Sequence, residues 1–470
     1  MSNEKFKLLD IHDMPQQRGT GNPRPRKSKI PEKGRIRVVL AAVLVIVIIK
    51  YCGPCVSGNG EGEKNIRANE PAADNSKTLD YRMTFDDLRQ LIREHPINIG
   101  LPEQTIIVDH TESRARGRNR ESGKDTLTLA LSIDTVLQRH AQSLLRRHRP
   151  RYGAVAAIDP ATGRVLALAS YANEGETIDG SDLYLRSIFP AASVFKTIVA
   201  AAGIEHGRMN ARTTIPHYGG HHTLFRSQLQ ENLRVSKDIT LQDAFAYSVN
   251  PAFARIALFN TNRDIVVNFG KKFGFHDTIP FELDVDVSVM LSPDTDFSIA
   301  EFASGFNRET TLSPLLGALI AGVASNGGVM HRPTIVDSVR SARRDTVVYT
   351  RETQTWRRAV REQTAAELRN LMTKVTHYGT ARRHFRPLRD SARFGRYEYG
   401  GKTGNVNKLG LGRVDWFVGF ARNPNDKTQQ IAIGVVTTHG EFWTVQSNYI
   451  ASELFKRYIT IEERKRRVGD

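Results

Sequence analysis

The chain has 470 residues, 40% hydrophobic and 25% charged, with 67 Lys and Arg against 50 Asp and Glu for a formal charge of +17. This composition excludes a wholly disordered chain, and a count of two cysteines excludes a disulfide-stapled scaffold. A nucleic-acid module is excluded too, because the basic runs Arg114–Lys124, Arg382–Arg396 and Arg464–Arg467 do not interleave aromatics at a stacking spacing. They read as solvated basic faces, suited to an anionic membrane or polymer.

Residues 1–37 carry ten Lys/Arg against four Asp/Glu, and Lys27, Lys29, Lys33, Arg35 and Arg37 stand directly before the apolar run Val38–Ile49. Twelve residues are short for a span, but Lys50 can snorkel and Tyr51 can sit at headgroup depth, which extends the run to residues 38–56. The expectation is an uncleaved signal anchor, a cytoplasmic tail over residues 1–37, and a body outside the plasma membrane. Cys52-Gly53-Pro54-Cys55 has dithiol spacing, yet it follows the anchor and precedes Gly- and Asn-rich sequence. Juxtamembrane packing or an intermolecular disulfide is therefore expected there, not redox catalysis.

Residues 57–80 read as a linker and residues 81–125 as a short pedestal, too small for a second catalytic domain of ordinary size. Within it, Thr84 is placed to cap a short helix that Pro96 stops. From residue 126 to 470 the pattern is dense. Leu127, Leu129, Leu131 and Ile133 alternate as a strand, and Val136 to Leu145 keep helical spacing. Gly153–Ile158 and Arg164–Ser170 form a hairpin about Asp159-Pro160-Ala161-Thr162-Gly163. Pro314–Ala324 is a helix ended by Asn326-Gly327-Gly328. Tyr397–Asn405, Asp415–Ala421 and Gln430–Thr437 read as three antiparallel strands, before a last helix with Ile450, Leu454, Phe455 and Tyr458 on one face. Strands, then helices, then strands and a helix predict an α+β fold: one central antiparallel sheet, built from both ends of the region and flanked by helices.

Three short motifs carry chemistry. Ser193-Val194-Phe195-Lys196 opens an Ala-rich helix, where a spacing of three puts hydroxyl and amine on one face. A lysine activates a serine if burial or a second cation suppresses its charge. Ser2-Asn3-Glu4-Lys5 matches the same pattern, so the motif means little alone. Ser248-Val249-Asn250 sits between helices, where the hydroxyl could relay a proton and the amide hold a peptide backbone. Lys402-Thr403-Gly404 lies in a strand, with Lys402 and Gly404 facing one way and Thr403 the other. The glycine permits close approach of a ligand to the backbone.

Ser193 and Ser248 are 55 residues apart, Ser248 and Lys402 154. In this order and at these intervals the motifs resemble those of the penicillin-binding proteins and serine β-lactamases. Leu131-Ser132-Ile133-Asp134, Gly153–Ser170, Ser313-Pro314-Leu315, Gly379-Thr380-Ala381 and Trp416-Phe417-Val418-Gly419 narrow the resemblance to the penicillin-binding transpeptidases, of monofunctional, class B type. It spans Thr126 to Tyr458. Two positions depart from the family pattern: Pro190-Ala191-Ala192 stands where many relatives have Pro-Gly, and Asn405 follows Lys-Thr-Gly in place of Thr or Ser.

The resemblance implies a peptidoglycan D,D-transpeptidase inhibited by β-lactams. Ser193 would attack a D-Ala-D-Ala stem peptide, Lys196 take its proton, and Ser248 hand a proton to the leaving D-alanine. Asn250 would hold the peptide, Lys402 and Thr403 its carboxylate, and Gly404 and Asn405 complete the substrate site. Backbone N–H groups of Ser193 and Asn405 would form the oxyanion hole. A D,D-carboxypeptidase or β-lactamase-type hydrolase would share this chemistry, and a wall or β-lactam sensor would share the fold. No cofactor is expected, and His217, His221 and His222 are read as a polar loop near the site, not a metal centre. The implied partners are the plasma membrane and an integral-membrane glycan polymerase.

Overall fold

A computed structural model describes residues 82–111, 122–230, 235–291 and 293–469. The expected tail, anchor and linker, and the pair Cys52 and Cys55, lie outside the described residues. Among the described residues no helix is long and apolar enough to cross a membrane.

Thr84 caps α1 (Phe85–Glu94) through a capping box: Asp87 N donates to its hydroxyl, and Thr84 N donates to the Asp87 carboxylate. Leu88, Leu91 and Ile92 bury the inner face of this helix. The chain continues through β1 (Glu103–Thr111), β2 (Ser122–Leu131) and α2 (Thr135–His148), the last capped by the Asp134 carboxylate. The hairpin of β3 (Tyr152–Ile158) and β4 (Val165–Ala172) turns at Asp159, which accepts from Ala161 N and the Thr162 hydroxyl. Next come β5 (Phe189–Pro190), a 3-10 turn at Ala192–Phe195, α3 (Lys196–Glu205), β6 (Thr214–His217) and β7 (Lys237–Thr240). A helical block follows: α4 (Leu241–Ala246), α5 (Asn250–Arg255), α6 (Arg263–Lys272) and α7 (Asp296–Ser304).

After β8 (Thr311–Leu312), α8 (Pro314–Ser325) is buried along its whole length, as a sequence apolar up to its final serine requires. Four short strands then appear: β9 (Val329–His331), β10 (Val336–Ser341), β11 (Thr346–Thr350) and β12 (Thr355–Arg358). Helices α9 (Glu362–His377) and α10 (Arg382–Arg389) lead to β13 (Glu398–Lys408), β14 (Gly412–Asn423), β15 (Asp426–His439) and α11 (Ser447–Gly469).

The central sheet has the order β13-β14-β15-β3-β4 and is antiparallel throughout. The expected union of early and late strands is made by β15 on β3, with Val435 opposite Val155. One face receives α8, so closely that a Cβ at Gly434 would collide with the Pro314 carbonyl. The other face receives α2 and α11, and Ile450, Leu454 and Phe455 of α11 are fully buried there.

A second sheet, of order β1-β2-β10-β11, is not anticipated by the sequence reading. The expected boundary at 125/126 falls inside β2, and the strands that complete the pedestal sheet come from beyond residue 335. Asp125, 2% exposed, joins the two parts by accepting from the Ser341 hydroxyl at 2.6 Å and Arg343 N at 3.1 Å. The pedestal therefore shares its core with the region that follows it.

Candidate active site

The 3-10 turn that carries Ser193 is clamped from both sides. Phe189 pairs with Leu312, Ala191 N donates to Thr310 O, and the Trp416 indole donates to Pro190 O at 2.8 Å. Phe195 is fully buried against Phe275 and Phe302. Ala192 adopts φ +48, a left-handed conformation that costs about 1–2 kcal/mol for a residue with a Cβ. Gly305, at φ +66 after α7, allows the Ala192 carbonyl to pass; a Cβ at this glycine would overlap it.

Lys196, the first residue of α3, is fully buried. Its Nζ lies 2.7 Å from Ser193 Oγ, 2.7 Å from Asn250 Oδ1 and 2.6 Å from Ser304 O. Burial, reinforced by the charge of Lys402, holds this amine far below the ordinary lysine range. In its neutral form Lys196 donates to Asn250 and Ser304 and presents its lone pair to the Ser193 hydroxyl. That is the arrangement a serine nucleophile needs.

A second hydroxyl–amine pair stands opposite. Ser248 occupies the turn between α4 and α5 at φ +58, and Lys402 Nζ donates to its hydroxyl at 2.9 Å and to Thr403 O at 2.9 Å. Burial brings Lys402 down to about 7. Asn250 braces the first pair from α5. Its Oδ1 accepts from Lys196, its Nδ2 donates to His222 O at 3.0 Å, and its carbonyl accepts from the Ser304 hydroxyl at 3.0 Å.

β13 closes the cleft. Lys402 points inward, the Thr403 and Thr380 hydroxyls meet at 2.5 Å, and a Cβ at Gly404 would lie 3.1 Å from Ser193 N. Gly404 thus keeps the Ser193 backbone N–H clear. The cleft, of about 280 Å³, is lined by Ser193, Ser248, Asn250, Thr403, Gly404 and Asn405, so six of the eight expected residues face it and the two lysines lie beneath.

The sequence reading misses Ser304, whose carbonyl meets Lys196 and whose hydroxyl meets Asn250 O, and the 221–222 carbonyls; backbone oxygens are groups that no side-chain motif reports. It also misses Asp415 and Asn448, which line the same cleft. The expectation of a polar histidine loop near the site is refined: His221 and His222 hold Asn250 directly. The His217–His221 and His221–His222 rings are 6.1 and 6.4 Å apart, and no group of three or more His, Cys, Asp or Glu among the described residues is placed to hold a metal.

Comparisons with known proteins bear on the family and the fold. The family model described as penicillin binding protein transpeptidase domain matches residues 153–460. The chain is similar to the peptidoglycan D,D-transpeptidase PbpA of Mycolicibacterium smegmatis, 26% identical over 328 residues. That match covers 62% of this chain and 62% of the relative, less than two thirds of its length. Among solved structures, the D,D-transpeptidase domain of a peptidoglycan glycosyltransferase from Eggerthella lenta aligns with a TM-score of 0.59 and 23% identity, covering 71% of this chain and 83% of that one. Penicillin-binding protein A from Mycobacterium tuberculosis, solved as a penicillin G acyl-enzyme complex, aligns with a TM-score of 0.54 and 20% identity, covering 71% and 80%. At these identities the structures establish the shared fold.

Proposed function

The chain belongs to the penicillin-binding-protein transpeptidase family, and we propose that it is a peptidoglycan D,D-transpeptidase working through an acyl-enzyme on Ser193. The observation that carries this reading is the 2.7 Å contact between Ser193 Oγ and a buried, charge-suppressed Lys196. Ser193 attacks the penultimate carbonyl of a D-Ala-D-Ala stem peptide while Lys196 takes its proton. The oxyanion forms against backbone N–H groups, those of Ser193 and Asn405, so the departure at position 405 leaves this device intact. Ser248, backed by Lys402, passes a proton to the departing D-alanine nitrogen. Asn250 orients the peptide, and Lys402 with the Thr403 hydroxyl holds the terminal carboxylate. An amine from a neighbouring stem peptide then forms the C–N bond as the ester to Ser193 breaks.

In this reading residues 38–56 tether the enzyme to the plasma membrane, with its catalytic body outside. The anchor also gives a docking surface to an integral-membrane glycan polymerase. Deleting the anchor is expected to leave penicillin acylation intact and abolish co-purification of the polymerase; retained association would sink the partnership.

Intact-mass analysis of the full-length protein with penicillin G tests the chemistry. One stable adduct is expected, absent from Ser193→Ala. A folded wild-type protein that forms no adduct and releases no D-alanine from a D-Ala-D-Ala peptide would overturn the reading. Rapid loss of the adduct would place the protein among the β-lactamases, and D-alanine release without transfer among the carboxypeptidases.

A further inference from the structure

The cleft contains two acceptor groups for which acylation has no use. Asp415 of β14 lies across the ladder from Asn405, is 7% exposed and lines the cleft. Its Oδ2 accepts from Ser447 N at 2.6 Å. Asn448, the next residue of α11, is also 7% exposed and lines the same cleft, and its Oδ1 is buried without a hydrogen-bond partner. An orphan buried acceptor costs about 1–3 kcal/mol, so a ligand that donates to it is favoured.

The surrounding charges leave room for a cation. The Arg413 guanidinium lies over the Trp443 ring, 5.0 Å from its centroid. His439 is held near 4 by burial and the charge of Arg413, and its ring nitrogens lie 3.0 Å from the Thr437 hydroxyl and 3.4 Å from that of Thr444. His384 faces Gln446 at 2.8 Å. Lys196 and Lys402 are held by the two serines. Burial raises the Asp415 carboxyl to about 7 against the opposing pull of Ser447 and Arg413, the mark of a carboxyl short of counter-charge.

We propose that Asp415 and Asn448 form a subsite for a primary ammonium group of the peptide substrate, with Asp415 as counter-charge and Asn448 Oδ1 as second acceptor. The inference rests on the transpeptidase reading, in which such an amine is present on the donor side chain and on the incoming strand. A carboxylate and an amide oxygen together accept from the several N–H bonds of an ammonium, whereas a single backbone N–H donor would meet only one of the two acceptors.

The test uses the full-length protein in detergent, wild type beside Asp415→Asn and Asn448→Ala. In a donor arm, D-alanine release is compared for acyl-Lys-D-Ala-D-Ala with the lysine amine free or acetylated. In an acceptor arm the donor amine is acetylated, and transfer to a free lysine peptide is measured against hydrolysis as its concentration rises. The variants are expected to reduce the preference for the free donor amine, or raise the acceptor concentration for half-transfer, by about tenfold in one arm. The responding arm identifies which strand supplies the ammonium.

Unchanged selectivity in both arms, in variants that still form the penicillin adduct, would overturn the subsite. A purely structural role for Asp415 in capping α11 would instead lower stability and slow both members of each peptide pair alike, and would also overturn it. Should Asp415→Asn fail to fold, Asn448→Ala carries the test, since its Oδ1 contributes no bond to the fold. Wild-type protein that neither acylates nor releases D-alanine would refute the transpeptidase reading beneath it, a separate and recognisable result.

Discussion

Lys196 and Lys402 are two buried amines that the proposed mechanism needs in opposite states, one neutral to accept a proton and one charged to meet a carboxylate. The descending limb of the pH profile for substrate acylation is therefore expected near 7, where Lys402 loses its proton, while burial and the charge of Lys402 hold Lys196 far below the ordinary lysine range. Rates with a D-Ala-D-Ala peptide across roughly pH 5–9 check this. Lys402→Arg, which stays charged, should remove that limb; a limb that persists would assign it elsewhere. The same depression has a stability consequence. Unfolded Lys402 titrates near 10.5 and the folded residue near 7, so between these values the unfolded chain binds the extra proton. Stability is lost as pH falls through that window and is level with respect to this group below it. Lys402→Met is thus expected to raise stability at neutral pH by roughly 1–3 kcal/mol while abolishing turnover, as read from denaturant midpoints. The residues that carry these predictions were legible in the sequence because each acts through a side chain at a recognisable spacing. Ser304 was not, because it contributes a carbonyl, and Asp415 was not, because before Trp416 it reads as an ordinary strand residue.

Both serines sit on turns with a left-handed non-glycine residue, Ala192 before Ser193 and Ser248 itself. The elements around them supply the restraint that holds this strain in place. α7 ends in Gly305 directly beneath the Ala192 carbonyl, so Gly305→Ala should displace the whole nucleophile turn without disturbing the sheet. Acylation by penicillin is expected to fall about 100-fold, with circular dichroism unchanged; wild-type acylation would show that the turn is set elsewhere. At this scale the strands and helices of the central sheet were readable, since long alternating or all-apolar runs such as β15 and α8 announce themselves. The pedestal sheet was not. β1 offers only Ile106-Ile107-Val108 between polar residues, and its companions β10 and β11 lie some 200 residues downstream, a distance over which periodicity carries no information.

The two sheets share β2–α2 continuity and a common hydrophobic core, so the described region should unfold as one cooperative unit. Asp125→Ala removes the buried acceptor of Ser341 and Arg343 and is expected to cost about 2–4 kcal/mol, measured by denaturant unfolding, while the penicillin adduct still forms at low temperature. Two separated transitions would argue against a shared core. The union of β15 with β3 also sets an order in time. Ser193 and Lys196 leave the ribosome long before β13 brings Lys402, and the sheet that supports the cleft cannot close until β15 is delivered. A nascent chain therefore carries Ser193 through synthesis without the cation and backbone that complete the site. Competence arrives with the last strands, so a chain interrupted before them is inert however much of its helical block has formed.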